Sequence, residues 1–190
     1  MLVVGLSNPG PDYDGTRHNV GAEAVRALSR RRGSGRLRPE KGQRAVVEEI
    51  RIGSARVALA VPNTYMNESG AAVRPLMRRF GIDDPSRVVV VHDELDLPPG
   101  RIRVKLGGGL AGHKGLQSIR DHLHTVEFVR VRIGIGKPPG RQRGADFVLR
   151  RPGKAERELL DGAIEAAADA VEIVVSDGVD AAMNRCNGEG

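Results

Sequence analysis

Apolar and polar positions along this chain fall into short blocks whose period changes several times, and each change marks an element. The opening run MLVVGL is continuously apolar and closed by turn residues, as a buried strand would be. Val20, Ala24, Val25 and Leu28 then share one face at helical spacing. Strand, loop and helix in that order make an α/β opening. RAVVEEIRIGSARVALAVP predicts two strands around the turn Gly53-Ser54, and SRVVVVHDEL is the most strongly strand-like run in the chain. RIRVKL and FVRVRIGI alternate charged and apolar residues at period two, which predicts strands with one buried face each. RRRGSGRLRPEKGQR, from Arg30, is polar, basic and rich in Gly and Pro, and is expected to be a solvated connection. GLQSIRDHL predicts a helix, and Pro75 should kink or delay the helix expected over SGAAVRPLMRRF. From Lys154 onward Leu160, Ile164, Ala167, Val171 and Val174 recur at helical spacing with acids on the opposite face. The expected fold is a single α/β domain: a central mixed, twisted β-sheet flanked by helices on both sides, with a C-terminal amphipathic helix packed over it.

Composition limits this picture and charge adds to it. A chain of 190 residues with 39% apolar content is the size of one domain and fills one ordinary core. No stretch approaches the roughly 18 apolar residues of a membrane span, and MLVVGLSNPG offers no basic n-region or long apolar h-region. A cytoplasmic protein is therefore expected. The single cysteine, Cys186, leaves no room for an internal disulfide framework or a Cys-rich metal site. The net charge of +6 is unevenly divided: residues 155–190 hold nine acids against Arg157 and Arg185, a balance of −7, which leaves +13 on residues 1–154. A basic body with an acidic tail suits a polyanionic partner such as nucleic acid, although a general bias toward arginine gives the same count. With 3% aromatic residues and no Trp, the chain lacks the material for a base-stacking platform, so phosphate contact fits better than base reading.

Candidate chemistry collects where strands end. VHDELDLPPG puts Asp93 directly after the apolar run VVVV, and His18 closes the loop that follows the first strand. Loops beyond the carboxyl ends of strands build the sites of open α/β sheets, so this His and Asp can pair. The carboxylate would fix the imidazole tautomer and raise its basicity toward water. The plainer alternatives are a helix-start histidine and a turn-forming aspartate. Asn8 and Asn67 offer uncharged amides that suit a carbonyl and its oxyanion, or serve as turn residues and caps. GLSNPG lacks the G-x-G-x-x-G spacing of dinucleotide sites. LGGGLAGHKGL has His113 between Gly112 and Lys114, and Gly115 where a P-loop needs Ser or Thr. Both departures argue against a nucleotide phosphotransferase. The glycines before His113 and Lys114 can still cradle a phosphate or a carbonyl.

GLSNPGPDYDGTRHNVG, PNTYMNESG, HDELDLPPGRIRVKLGGGLAGHKGL and VRIGIGKPPG, in this order and at these separations, resemble the bacterial peptidyl-tRNA hydrolase family from about Met1 to Pro152. The resemblance implies cleavage of the ester that joins a peptide to the 3′-terminal ribose of tRNA, with no metal and no other cofactor, by a monomer. It implies that His18 is the general base acting on water, that Asp93 holds the imidazole, and that Asn8 helps distinguish blocked from free aminoacyl groups. Tyr13, Tyr65, Met66 and Asn67 would line the pocket for the peptide and the terminal nucleotide, with His113 and Lys114 also on substrate. Arg103, Lys105 and Arg132 would meet the tRNA backbone. Two positions depart from the family pattern: Ser7 replaces the central Gly of GLGNPG, and AGHKGL stands for GGHNGL, so that Lys114 occupies the place of an Asn that contacts substrate. The second departure motivates an alternative, a homologue repurposed to hold tRNA or aminoacyl-tRNA with altered substrate range or weak turnover.

Overall fold

The N-terminal apolar run lies at the middle of a seven-stranded sheet. In the computed structural model, which describes residues 1–140 and 143–188, the strands are β1 (Leu2–Gly5), β2 (Arg38–Pro39), β3 (Ala45–Ile52), β4 (Ala55–Pro62), β5 (Val88–Glu94), β6 (Ile102–Leu106) and β7 (Val129–Gly134). Their spatial order is β2-β3-β4-β1-β5-β7-β6. β1 pairs in parallel with β4 and β5, and β5 with β7, whereas β2–β3, β3–β4 and β6–β7 are antiparallel, so the sheet is mixed. The helices are α1 (Val20–Arg32), α2 (Gly70–Arg79), α3 (Lys114–Leu123), α4 (Gly144–Val148), α5 (Lys154–Asp177) and α6 (Val179–Cys186). Val3, Val89 and Val131 pack on one face of the sheet with residues of α1 and α5, and Leu2, Val4 and Val90 on the other with residues of α2 and α3. A strand buried on both faces needs apolar side chains at every position, which is why MLVVGL and VVVV are unbroken. Among the described residues no helix is long and apolar enough to cross a membrane.

Glycine sets how closely α1 approaches the sheet. A Cβ on Gly21 would lie 2.1 Å from the Val91 carbonyl oxygen, and one on Gly5 would lie 2.4 Å from the Gly21 carbonyl oxygen. Both contacts are with backbone and cannot relax by a side-chain rotation. With no Cβ at either position, Ala22 N donates to the Leu6 carbonyl at 3.2 Å and Leu6 N to the Val91 carbonyl at 3.0 Å. This seat fixes the turn just before α1 over the carboxyl end of β5. The chain leaves β1 toward β4 on one side and reaches β5 on the other, so the crevice opens at a topological switch point.

The structure departs from the sequence pattern at four places. α1 continues through Arg30, Arg31 and Arg32 into the stretch expected to be a connection, because Arg31 pairs with Glu165 and Asp169 and Arg32 with Glu172 on α5. The C-terminal helix is two helices, broken at Gly178 with φ 94°, and the final residues Glu189 and Gly190 of the acidic tail lie outside the described residues. α2 runs through Pro75 without interruption. Arg130, on the charged face of an alternating strand, is only 2% exposed.

Candidate active site

A 3₁₀ turn over Arg17–Asn19 carries His18 to the carboxyl end of β5. His18 Nδ1 lies 2.9 Å from both carboxylate oxygens of Asp93, which can only accept, so the Nδ1 proton is donated there and Nε2 keeps its lone pair. The next residue, Asn19, holds the preceding loop from both ends: its Oδ1 accepts from Asn8 N at 2.9 Å and its Nδ2 donates to the Asn8 carbonyl at 3.0 Å. The Asn8 side chain is fixed in turn, its Oδ1 accepting from Met66 N at 2.7 Å, which leaves its amide N–H groups as donors toward the crevice. Asn19 gave no signal in the sequence beyond its place beside His18.

Asp93 is 3% exposed and serves a second histidine. His113 caps α3: its Nδ1 accepts from Gly115 N at 3.2 Å and from Leu116 N at 3.4 Å, so its proton sits on Nε2, which donates to Asp93 Oδ1 at 2.9 Å. One imidazole thus both caps α3 and braces the Asp93 carboxylate. His92, which sequence reasoning passed over, is buried beneath them. It donates from Nδ1 to the Asp93 carbonyl at 2.7 Å, its Nε2 has no partner, and its ring meets that of His113 edge-on with centroids 5.0 Å apart.

Burial pulls the His18 pKa down, but the charge and hydrogen bond of Asp93 outweigh it, and the net shift is upward from 6.5. Burial would raise Asp93, yet the positive character and hydrogen bonds of His18 and His113 hold it well below the usual carboxylate range. Burial, helped by the neighbouring His113, drives His92 well below 6.5 and keeps it neutral. Among the described residues, His18, Asp93 and His113 are the one group that brings three metal-ligating atoms within 4.8 Å of one another. The donor set does not suit a cation, because the His113 nitrogen facing Asp93 carries a proton rather than a free lone pair.

The crevice encloses about 1010 Å³ and is lined by Asn8, His18, Tyr65, Met66, Asn67, Asp93, His113 and Lys114, with Ala145, Val148 and Leu149 supplying an apolar wall. Tyr13 stands behind this lining, its ring edge-on to Tyr65 with centroids 6.3 Å apart. Ala111, also on the lining, has φ 48°, a conformation that costs a non-glycine residue about 1 kcal/mol. Arg103, Lys105 and Arg132 share one face of β6 and β7, since Arg103 faces Arg132 and Lys105 faces Arg130 across the ladder. Arg103 and Lys105 are exposed. Arg132 Nε donates to Glu94 Oε2 at 3.0 Å, so part of its charge is already met. Arg130 donates to the carbonyls of Gly107 and Gly109 and holds down the glycine loop that leads to His113.

Fold and site together define a class: the single-domain α/β proteins with a His–Asp pair in a crevice at the carboxyl ends of the central strands. Comparison with known proteins narrows it. The family profile described as peptidyl-tRNA hydrolase matches residues 2–190. A relative named peptidyl-tRNA hydrolase from Cutibacterium acnes is 50% identical over 98% of this chain and 97% of its own, and one from Rhodococcus erythropolis is 50% identical over 97% and 96%. The crystal structure of peptidyl-tRNA hydrolase from Acinetobacter baumannii superposes with a TM-score of 0.91 at 40% identity, covering 98% of this chain and 94% of that one. The chain belongs to the peptidyl-tRNA hydrolase family.

Proposed function

We propose that the hydrolysis of peptidyl-tRNA that goes with this family runs, in this chain, through a water molecule activated by His18. The observation that carries the reading is the double contact of His18 Nδ1 with Asp93, which leaves Nε2 as the basic nitrogen facing the crevice. His18 Nε2 takes a proton from water as the oxygen attacks the carbonyl carbon of the ester between the peptide and the 3′-terminal ribose. The amides of Asn8 and Asn67 donate to the developing oxyanion. The imidazolium then returns the proton to the departing ribose oxygen as the C–O bond breaks, giving a free peptide carboxylic acid and a tRNA with its hydroxyl restored. Tyr65 and Met66 bound the space for the acyl group and terminal nucleotide with Tyr13 backing Tyr65, His113 keeps Asp93 ionised, and Arg103 and Lys105, with the partly neutralised Arg132, meet the phosphate backbone.

The test is His18→Ala assayed on N-acetyl-aminoacyl-tRNA, with tRNA affinity measured in parallel. A general base contributes roughly 10²-fold or more to rate and little to ground-state binding, so turnover should collapse while affinity stays near that of the parent. Undiminished hydrolysis by His18→Ala would remove the mechanism. The alternative of a homologue that holds tRNA or aminoacyl-tRNA with weak turnover has the intact His18–Asp93 pair against it.

A further inference from the structure

We infer that Arg17, the residue before His18, is a positioning residue for this reaction, fastening the catalytic turn to the apolar wall of the crevice and to the first turn of α5. The inference rests on the reading of His18 as the base.

The Arg17 side chain is 8% exposed and its donors are all directed at one region far along the chain. Nε and Nη2 form a fork on Glu156, donating to Oε1 at 2.6 Å and Oε2 at 2.5 Å. Nη1 faces the carbonyls of Phe147, Arg150 and Arg151 at 3.4, 3.0 and 3.4 Å. The guanidinium carbon sits 4.0 Å from the centroid of the Phe147 ring. The backbone joins in, Arg17 N donating to the Arg150 carbonyl at 3.3 Å. A second fastening runs the other way, from Arg151 Nε to the Asp14 carbonyl at 2.8 Å. The segment held in this way continues directly from Ala145, Val148 and Leu149, which form the crevice wall.

Stability alone accounts poorly for this construction. A buried ion pair gains little over packed apolar side chains once its desolvation is counted, whereas a planar fork on a carboxylate fixes direction as well as distance. The consecutive residues of the turn pull three ways: Arg17 toward α4 and α5, His18 toward β5, Asn19 toward the first loop. With the first pull removed, the turn can rotate about the other two, and the imidazole loses its symmetric seat on Asp93. The acyl wall loses its register with the base in the same motion.

Arg17→Lys keeps the charge but cannot fork, and Glu156→Gln keeps the shape while losing the charge. Both are to be made in the full chain and assayed on N-acetyl-aminoacyl-tRNA for kcat and KM separately, for the pH profile of kcat/KM, and for thermal midpoint. The His18 imidazole should also be titrated by NMR. Misplacement of a reacting group by about 1 Å costs about 10²-fold, so kcat should fall by about 10- to 100-fold with KM little changed. The acid limb and the His18 titration should move together to lower pH, because Asp93 is what raises that pKa. A folded Arg17→Lys or Glu156→Gln with parental kcat and an unmoved limb overturns the inference, however far its thermal midpoint drops. If Arg17→Lys does not fold, Glu156→Gln alone decides in the same terms. Failure of the underlying reading is separately visible, as an active His18→Ala.

Discussion

Replacing Asp93 by Asn removes one charge from a residue that is 3% exposed and changes almost nothing else in volume, so its effects can be worked from the contacts. The carboxylate receives His18 Nδ1 at 2.9 Å on both oxygens and His113 Nε2 at 2.9 Å on one. An Asn at this position offers one acceptor and one donor to two imidazole N–H groups. If the oxygen stays where both donors reach it, the new N–H₂ faces the proton on His18 Nδ1. The relief available is for His18 to move that proton to Nε2, the side where the base must accept. One hydrogen bond to an ionised group contributes about 1.5–3 kcal/mol, so kcat should fall between about tenfold and about 150-fold. The pH dependence has a definite sign. On the proposed mechanism the parent's His18 must be neutral to act, and Asp93 lifts its pKa above 6.5, so activity should be lost as pH falls through that raised value. In Asp93→Asn the lifting interactions are gone and burial remains, which lowers the pKa, so the acid limb of kcat/KM should move below its parental position. The assay is release of N-acetyl-amino acid from charged tRNA across about pH 5 to 8, with circular dichroism at each pH to confirm folding. A limb that stays put, or moves upward, refutes the assignment of Asp93 as the group that tunes His18.

The other expectations concern substrate contact and the core. Lys105→Ala should flatten the log–log salt dependence of tRNA binding by about one unit, and Arg132→Ala by less, because Glu94 already meets part of that charge; equal slopes in the parent and Lys105→Ala would deny a phosphate contact. Lys114 is exposed, lines the crevice and makes no ion pair among the described residues. Lys114→Asn should therefore raise hydrolysis by up to about tenfold for one recovered hydrogen bond, and weaken the salt dependence of binding. A loss of activity would mean that the pocket is built around the lysine. Leu160→Ala, at a position with no exposed surface, should cost about 2–5 kcal/mol in a urea unfolding curve, and a cost under about 1 kcal/mol would contradict the place given to α5 in the core.

What could be seen in the sequence depended on the range of the interaction that decides it. β1, β5 and the inward face of α5 declare themselves because burial on a sheet or helix face repeats at a short period, and Leu160, Ile164, Ala167, Val171 and Val174 are all buried. His18 and Asp93 were legible as residues at strand ends and, together with Asn8, Tyr65 and Asn67, through the family resemblance. Arg130 was not, because its period-two pattern says exposed, and only the fold brings the carbonyls of Gly107 and Gly109 over it. The length of α1 was missed for the same reason: the acids that hold Arg31 and Arg32 lie more than 130 residues further on. His113 was singled out through its glycine loop and the resemblance, but its bond to Asp93 joins the start of α3 to the carboxyl end of β5 and has no local trace.

The turn that carries His18 is among the first parts of the chain to be made, yet one of its three holds is on Phe147 and Glu156. Synthesis runs from the N-terminus, and domains form as their parts emerge. A growing chain therefore holds His18 and Asp93 by residue 93, but lacks the wall and the fork until residue 156 has appeared. Throughout that interval the protein is itself a peptide esterified to a tRNA, a member of the very class of molecules it will later cut. Until that stretch has been made, the turn at Arg17–Asn19 is without its fork on Glu156 and the crevice without its apolar wall.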